Sequence, residues 1–323
     1  KRQILLVMTP GIDEVTTIEY AAALAEDSGA ALTVAEILTE AETNVEGSVS
    51  SPDELEEQMT ENRRARLEAL VARLHADLDI QTKVLIGRPH EEITRDVVTN
   101  ERDLVLKAVE GTNRLTERLF GDNDFSLLKV CPCAVLLIRS IPPEPYRHHR
   151  VCAGVYQDEI PGGHRDDRYA VNHRILEHAA WIATSQFSEL HIVHAWEAYG
   201  EQDMRSGRSF LKFDAANYVA SEQQRNRLAL NTCLSELKES MDSGVLPAFK
   251  PVCHLVKGGH RDEIIRVATE IEADLVVVGD LPHSGMTRLI VDSTADAITR
   301  QLKCSVLVVK SPDFVTPIVV DEQ

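Results

Sequence analysis

The 323 residues are enough for two domains of ordinary size, and a hydrophobic share of 43% supplies a packed core rather than a disordered chain. A net charge of −18 argues against nucleic acid as a partner, because phosphate backbones select Lys/Arg surfaces; it fits a chain kept soluble by its charge, or one that recruits a basic partner. No apolar run approaches the roughly 20 residues of a membrane span, and the opening "KRQILLVM" lacks the cleavage site of a signal peptide, so a cytoplasmic location is expected.

In chain order, the apolar run "ILLVM" (4–8) predicts a first strand and is followed by an amphipathic helix over about 16–28. Strand "ALTVAEIL" (31–38) comes next. Ser51-Pro52-Asp53-Glu54 has the capping-box pattern with proline at the first helical position, and predicts a long helix running to about Leu78. Then come strand "QTKVLI", a helix after Gly87, strand "LVLKA", a loop, a short helix near 124–130 and strand "AVLLIR". The Pro-rich "RSIPPEPYRHHR" (139–150) reads as a semi-rigid linker. Beyond it the pattern starts again. Strands are expected at 150–155, 189–196, "KPVCHLV", "DLVVVG" and "SVLVVK", with helices at about 171–185, 212–241, 260–271 and 294–302.

The second half is a copy of the first. Set residue n beside n+171: Gly87 meets Gly258, Glu92 meets Glu263, Ile93 meets Ile264 and Arg95 meets Arg266. Asp103-Leu104-Val105 meets Asp274-Leu275-Val276, and the register continues without a gap to Cys133 and Cys304. Strands alternating with helices imply βαβ units, and continuous Val/Leu/Ile strands imply a parallel sheet covered on both faces. The expected fold is therefore α/β: two tandem Rossmann-like doubly wound domains, each a five-stranded parallel sheet flanked by helices. The boundaries are domain 1 over 1–140, a linker over 141–149, domain 2 over 150–311 and a tail over 312–323.

Six cysteines carry no CxxC spacing and no zinc pattern with histidine. Cys131 and Cys133, read as strand residues, point to opposite faces and do not bridge; buried free thiols are expected. His148, His149 and His164 are loop histidines without carboxylate or cysteine at ligand spacing, so no metal site is expected. His194 and His254 read as core or edge residues rather than general bases. No Ser/His/Asp order, HExxH or Walker motif occurs, and no catalytic residue is assigned.

Strand "DLVVVG", a loop of about a dozen residues, Ser-Thr at a helix start, then a cysteine and "VLVVK" resemble a universal stress protein domain. Two such domains in tandem are similar to the bacterial universal stress protein E branch. The resemblance implies a pseudo-dimer of the two copies whose last strands, 134–139 and 305–310, pair antiparallel. It also implies a site to test, since some members bind ATP through Gly, two residues, Gly, nine residues, Gly and Ser/Thr, with an aspartate closing the first strand. The matching positions are Gly279, Pro282, Asp292 and Ser293 in the second copy, and Ala108, Gly111, Gly121 and Asp122 in the first. Thr9 and Tyr156 stand where the aspartate would be.

The spacing survives and the residues do not. Pro282 removes a backbone donor. A carboxylate about 4 Å from a phosphate charge costs about 1 kcal/mol in water and about 4 kcal/mol at an effective dielectric of 20, so Asp122 and Asp292 oppose a triphosphate while suiting a helix N-terminus. Three functions stay open. One is a non-catalytic stress-response module that binds a small molecule or a protein. The second is a nucleotide-binding regulator, or weak ATPase, using Gly279, Gly285, Ser293 and Thr294, with Gly111 and Gly121 as first-copy candidates. The third is a carrier of an apolar small molecule lined by Met286, Leu289, Ile290 and Val291. No cofactor is required, and ATP is the one candidate. A homodimer beyond the internal pair also stays open.

Overall fold

The computed structural model describes residues 1–9, 12–39, 42, 52–74, 79–109, 122–156, 165–206, 214–241, 250–280 and 294–319. In chain order the first repeat comprises β1 Gln3–Val7, α1 Glu14–Ser28, β2 Ala31–Leu38, α2 Pro52–Leu74, β3 Ile80–Ile86, α3 Pro89–Thr99, β4 Leu104–Ala108, α4 Asp122–Val130 and β5 Ala134–Ile138. The second comprises β6 Arg150–Val155, α5 Arg165–Gln186, β7 Glu189–Trp196, α6 Glu201–Arg205, α7 Ala215–Ser240, β8 Val252–Lys257, α8 His260–Glu270, β9 Leu275–Asp280, α9 Thr294–Gln301 and β10 Ser305–Lys310. The short α6 was not foreseen, and α5 begins six residues before its expected start. The end expected near Leu78 for α2 lies outside the described residues.

These elements form two compact units, residues 1–148 with 303–323, and residues 149–302. In the first unit the strand order is β3-β2-β1-β4-β5-β10. The first five strands run parallel, with Leu5 beside Thr33 on one side and Val105 on the other. The strand β10 closes the β5 edge antiparallel, with Val306 beside Leu137 and Val308 beside Val135, as the family resemblance implied. The second unit holds the parallel order β9-β6-β7-β8. The strand that ends the second repeat, β10, thus counts with the first unit.

Local chemistry explains the boundaries. Helix α1 begins where the Asp13 carboxylate accepts from the Thr16 N–H at 3.2 Å, and ends at Gly29, whose φ of 64° is the left-handed cap that glycine adopts at little cost. Both α2 and α3 open on proline, which needs no N–H partner at that position. Every residue of β4 and β5 is buried, so their apolar character, interrupted only by Lys107 within these two strands, reflects helices on both faces.

One buried carboxylate inside the first unit is heavily paired. The fully buried Asp96 carboxylate accepts from Lys83 Nζ at 2.6 Å, Arg102 Nε at 3.0 Å and Asn100 Nδ2 at 2.9 Å. Residues 141–148, expected as linker, are tied to this unit. Arg147 pairs with Asp27, its Nε at 2.7 Å, and buried His148 meets the Tyr20 ring edge-on.

Two expectations about cysteine need correction. Cys131 and Cys133 do not share a strand: they flank Pro132 in the turn from α4 to β5, and their sulfurs lie 3.5 Å apart. Nor are all thiols buried, since Cys253 is exposed on β8. His194 is a core residue and His254 sits half-buried on β8, as expected. No group of three metal-binding side chains occurs among the described residues, and no described helix is long and apolar enough to cross a membrane.

Candidate functional site

A parallel α/β sheet offers its ligand cleft at the carboxyl ends of the strands. In the first unit that place is reached by Thr9, two residues beyond β1, and Ala108, the last residue of β4. The Thr9 hydroxyl donates to the Ala108 carbonyl at 2.7 Å. In the second unit the matching residues are Tyr156, one beyond β6, and Gly279 on β9. The Tyr156 hydroxyl donates to the Gly279 carbonyl, also at 2.7 Å. Each copy therefore spans the same two strand ends with a neutral hydroxyl already committed to backbone.

Tyr156 is fixed on every side. Asn172 on α5 accepts from its N–H at 2.7 Å and donates to its carbonyl at 2.9 Å. Its ring stacks on the His260 imidazole, at the start of α8, with centroids 4.2 Å apart and planes 23° apart. Burial, aided by the Asp280 charge, pushes the phenol far above its ordinary pKa. Burial also pulls His260 down to about 3, with the nearby charges of His194 and Arg168 adding to it. Both groups are neutral at physiological pH. The two His260 ring nitrogens are buried with no hydrogen-bond partner among the described residues.

Gly279 was a nucleotide-binding candidate on account of its loop position. Its environment gives another reason for glycine. A Cβ there would lie 2.3 Å from Val171 Cγ1 on α5 and 3.2 Å from the Tyr156 ring. Close packing of helix against strand end excludes a side chain, whether or not a phosphate approaches.

The next strand out is also occupied. In the first unit, buried Glu36 on β2 receives Arg66 at 2.7 Å and Arg63 at 3.4 Å, both from α2. Arg66 also grips both oxygens of Glu14, at 2.9 and 2.8 Å, and Arg63 donates to the Ile37 carbonyl at 2.8 Å. In the second unit the corresponding strand carries His194, whose Nε2 lies 2.9 Å from Asn226 Oδ1 on α7. Both residues are almost fully buried.

The loops differ at their bases. Lys107 on β4 forms a buried ion pair with Asp124 on α4, bracketing residues 109–121. The second repeat has Val278 and Ala295 at those positions. An apolar pair there avoids the cost of desolvating two charges.

Most sequence-derived candidates fall outside this description. Gly111, Gly121, Gly285, Asp292 and Ser293 lie outside the described residues, as do Pro282, Met286, Leu289, Ile290 and Val291. Asp122 and Thr294 are the first residues of α4 and α9. The sequence reading placed Thr9 and Tyr156 at the strand ends but assigned them no contact, and it missed His260 and the Lys107–Asp124 pair. For His260 the one available signal was its alignment with Pro89: a histidine replacing a proline at a helix start.

The profile of the universal stress protein family matches residues 1–139 and 167–310, one match for each repeat. The chain belongs to the universal stress protein family. It is 26% identical over 252 residues to universal stress protein E of Salmonella typhi, covering 77% of this chain and 74% of that one. To universal stress protein E of Escherichia coli K12 it is 25% identical over 254 residues, with the same coverage. A putative universal stress protein from Pseudomonas aeruginosa UCBPP-PA14 has the same fold, with a TM-score of 0.67 at 19% identity over 97% of this chain and 94% of that one. One from Archaeoglobus fulgidus gives 0.60 at 17% identity, covering 95% and 98%. This universal stress protein thus carries the family's domain twice in tandem.

Proposed function

We propose that this universal stress protein is a non-catalytic binding module for a protein or small-molecule partner, with neither strand-end cleft serving nucleotide. The observation that carries the reading is the pair of matching hydroxyl bonds, Thr9 to Ala108 and Tyr156 to Gly279. By family resemblance, ATP-binding members place an aspartate there. Here the first copy has a short hydroxyl and the second a buried aromatic ring, and both are already used. A purine entering the second cleft would have to displace Tyr156 from His260 and break its bond to Gly279. In the first cleft, the Glu36–Arg66–Glu14 cluster would have to open as well.

Calorimetric titration of the whole chain with Mg-ATP tests this. The expected affinity is weaker than about 100 μM, or about −5.5 kcal/mol on the standard scale. Micromolar binding, or phosphate release above a buffer blank, would overturn it.

A further inference from the structure

We propose that Cys131 and Cys133 form a redox-active dithiol, which closes to an intrachain disulfide when the protein meets hydrogen peroxide. The two sulfurs are 3.5 Å apart. Each has its place on a rigid element. The Cys131 N–H donates to the Leu127 carbonyl at 2.9 Å and so completes the last turn of α4. Cys133 sits directly before β5 and its sulfur lies 3.4 Å from the Ala134 carbonyl. The turn through Pro132 therefore holds two thiols face to face, where a strand would have pointed them apart.

The pair is separate from the strand-end clefts. Ala134 is in register with Leu104, the first residue of β4, so the dithiol lies at the amino ends of the strands, opposite Thr9 and Ala108. It is also confined to one repeat. The residues aligned with Cys131 and Cys133 are Leu302 and Cys304, so the second copy kept one sulfur and not the other.

The chemistry balances with peroxide alone. A thiolate of the pair attacks one peroxide oxygen, the O–O bond breaks, and a sulfenic acid and one water result. The second sulfur then attacks the sulfenic sulfur, the S–O bond breaks, a second water leaves and the S–S bond forms. Two thiols lose two electrons and two protons in all, and one peroxide becomes two waters. The sulfurs must approach to about 2.05 Å, so the turn has to tighten by about 1.5 Å. A ring spanning three residues is strained, which makes the bond easy to reduce again.

At rest the pair is guarded. Cys131 is 0% and Cys133 6% exposed. Burial, then the hydrogen bond and charge of Cys131, push the Cys133 thiol well up, so little thiolate is present. Oxidation therefore proceeds through local opening of the α4–β5 turn and accelerates as pH rises.

The test uses the full chain, fully reduced, with Cys253→Ser to remove the exposed thiol. Folded and urea-unfolded samples are given the same peroxide, quenched in acid, denatured, alkylated and digested. The peptide holding residues 131–133 from the folded sample is expected to lose two hydrogens (about 2 Da), to resist alkylation and to recover both thiols with dithiothreitol. Cys131→Ser and Cys133→Ser should each abolish that mass. The proposal fails if the folded peptide takes two alkyl groups, if it gains only oxygen as sulfinic acid, or if the disulfide forms from the unfolded chain alone.

Discussion

Tyr156→Phe isolates the interaction on which the proposed function rests. It removes one oxygen and leaves the ring in place, so the stack on His260 and the contact with Gly279 persist. What is lost is the 2.7 Å bond to the Gly279 carbonyl, a buried acceptor on β9. An ordinary hydrogen bond contributes about 0.5–1.5 kcal/mol net, but leaving its buried partner unsatisfied costs about 1–3 kcal/mol, and the second figure applies here because Phe supplies no replacement donor. The second unit should therefore lose about 1–3 kcal/mol. Urea unfolding followed by tryptophan fluorescence reads that unit selectively, because the chain's two tryptophans, Trp181 and Trp196, both lie within it. ATP affinity should stay as weak as in the wild type, since the ring still fills the cleft. A loss below about 0.5 kcal/mol would mean that the hydroxyl does not hold the two strand ends together. An ATP affinity raised tenfold would mean that the hydroxyl, not the ring, keeps nucleotide out. Either result refutes the reasoning.

His260 gives a pH dependence of definite sign. Its folded pKa of about 3 lies below the unfolded value of about 6.5, so between those values the unfolded chain binds a proton that the folded chain refuses. Stability falls as pH drops below about 6.5, by about 2 kcal/mol at pH 5, and His260→Gln should flatten that slope in fluorescence-detected urea curves. In the first unit, Asp96→Ala strands buried Arg102 without its carboxylate and should cost about 3–5 kcal/mol, read by circular dichroism; a cost under 1 kcal/mol would show that Thr33, which accepts from Arg102 at 2.8 Å, suffices. With Mg-ATP, neither Thr9→Val nor Tyr156→Phe should raise the melting temperature, because neither supplies the missing carboxylate.

The sequence by itself determined the repeat, the order of strands and helices, and most of their bounds. Strands such as 31–38 and 189–196 fall where the apolar runs put them, because hydrophobic period and breaker residues act within a few positions of one another. The antiparallel closure of β5 by β10 was legible through family resemblance rather than from any local pattern. Tertiary structure alone decided the chemistry of the strand ends. Tyr156 and Gly279 are 123 residues apart, and no spacing rule says that one hydroxyl will meet the other's carbonyl. Gly279 was read as a phosphate-loop glycine, yet its bareness answers to Val171 on a helix over a hundred residues earlier. Cys131 and Cys133 were misread because strand periodicity was applied one turn too early: the face a side chain takes depends on where the helix stops, and α4 stops at Val130, just before the pair. Period and propensity are local quantities. Which groups meet across a sheet is set by packing, and there the chain had to fold before its clefts could be read.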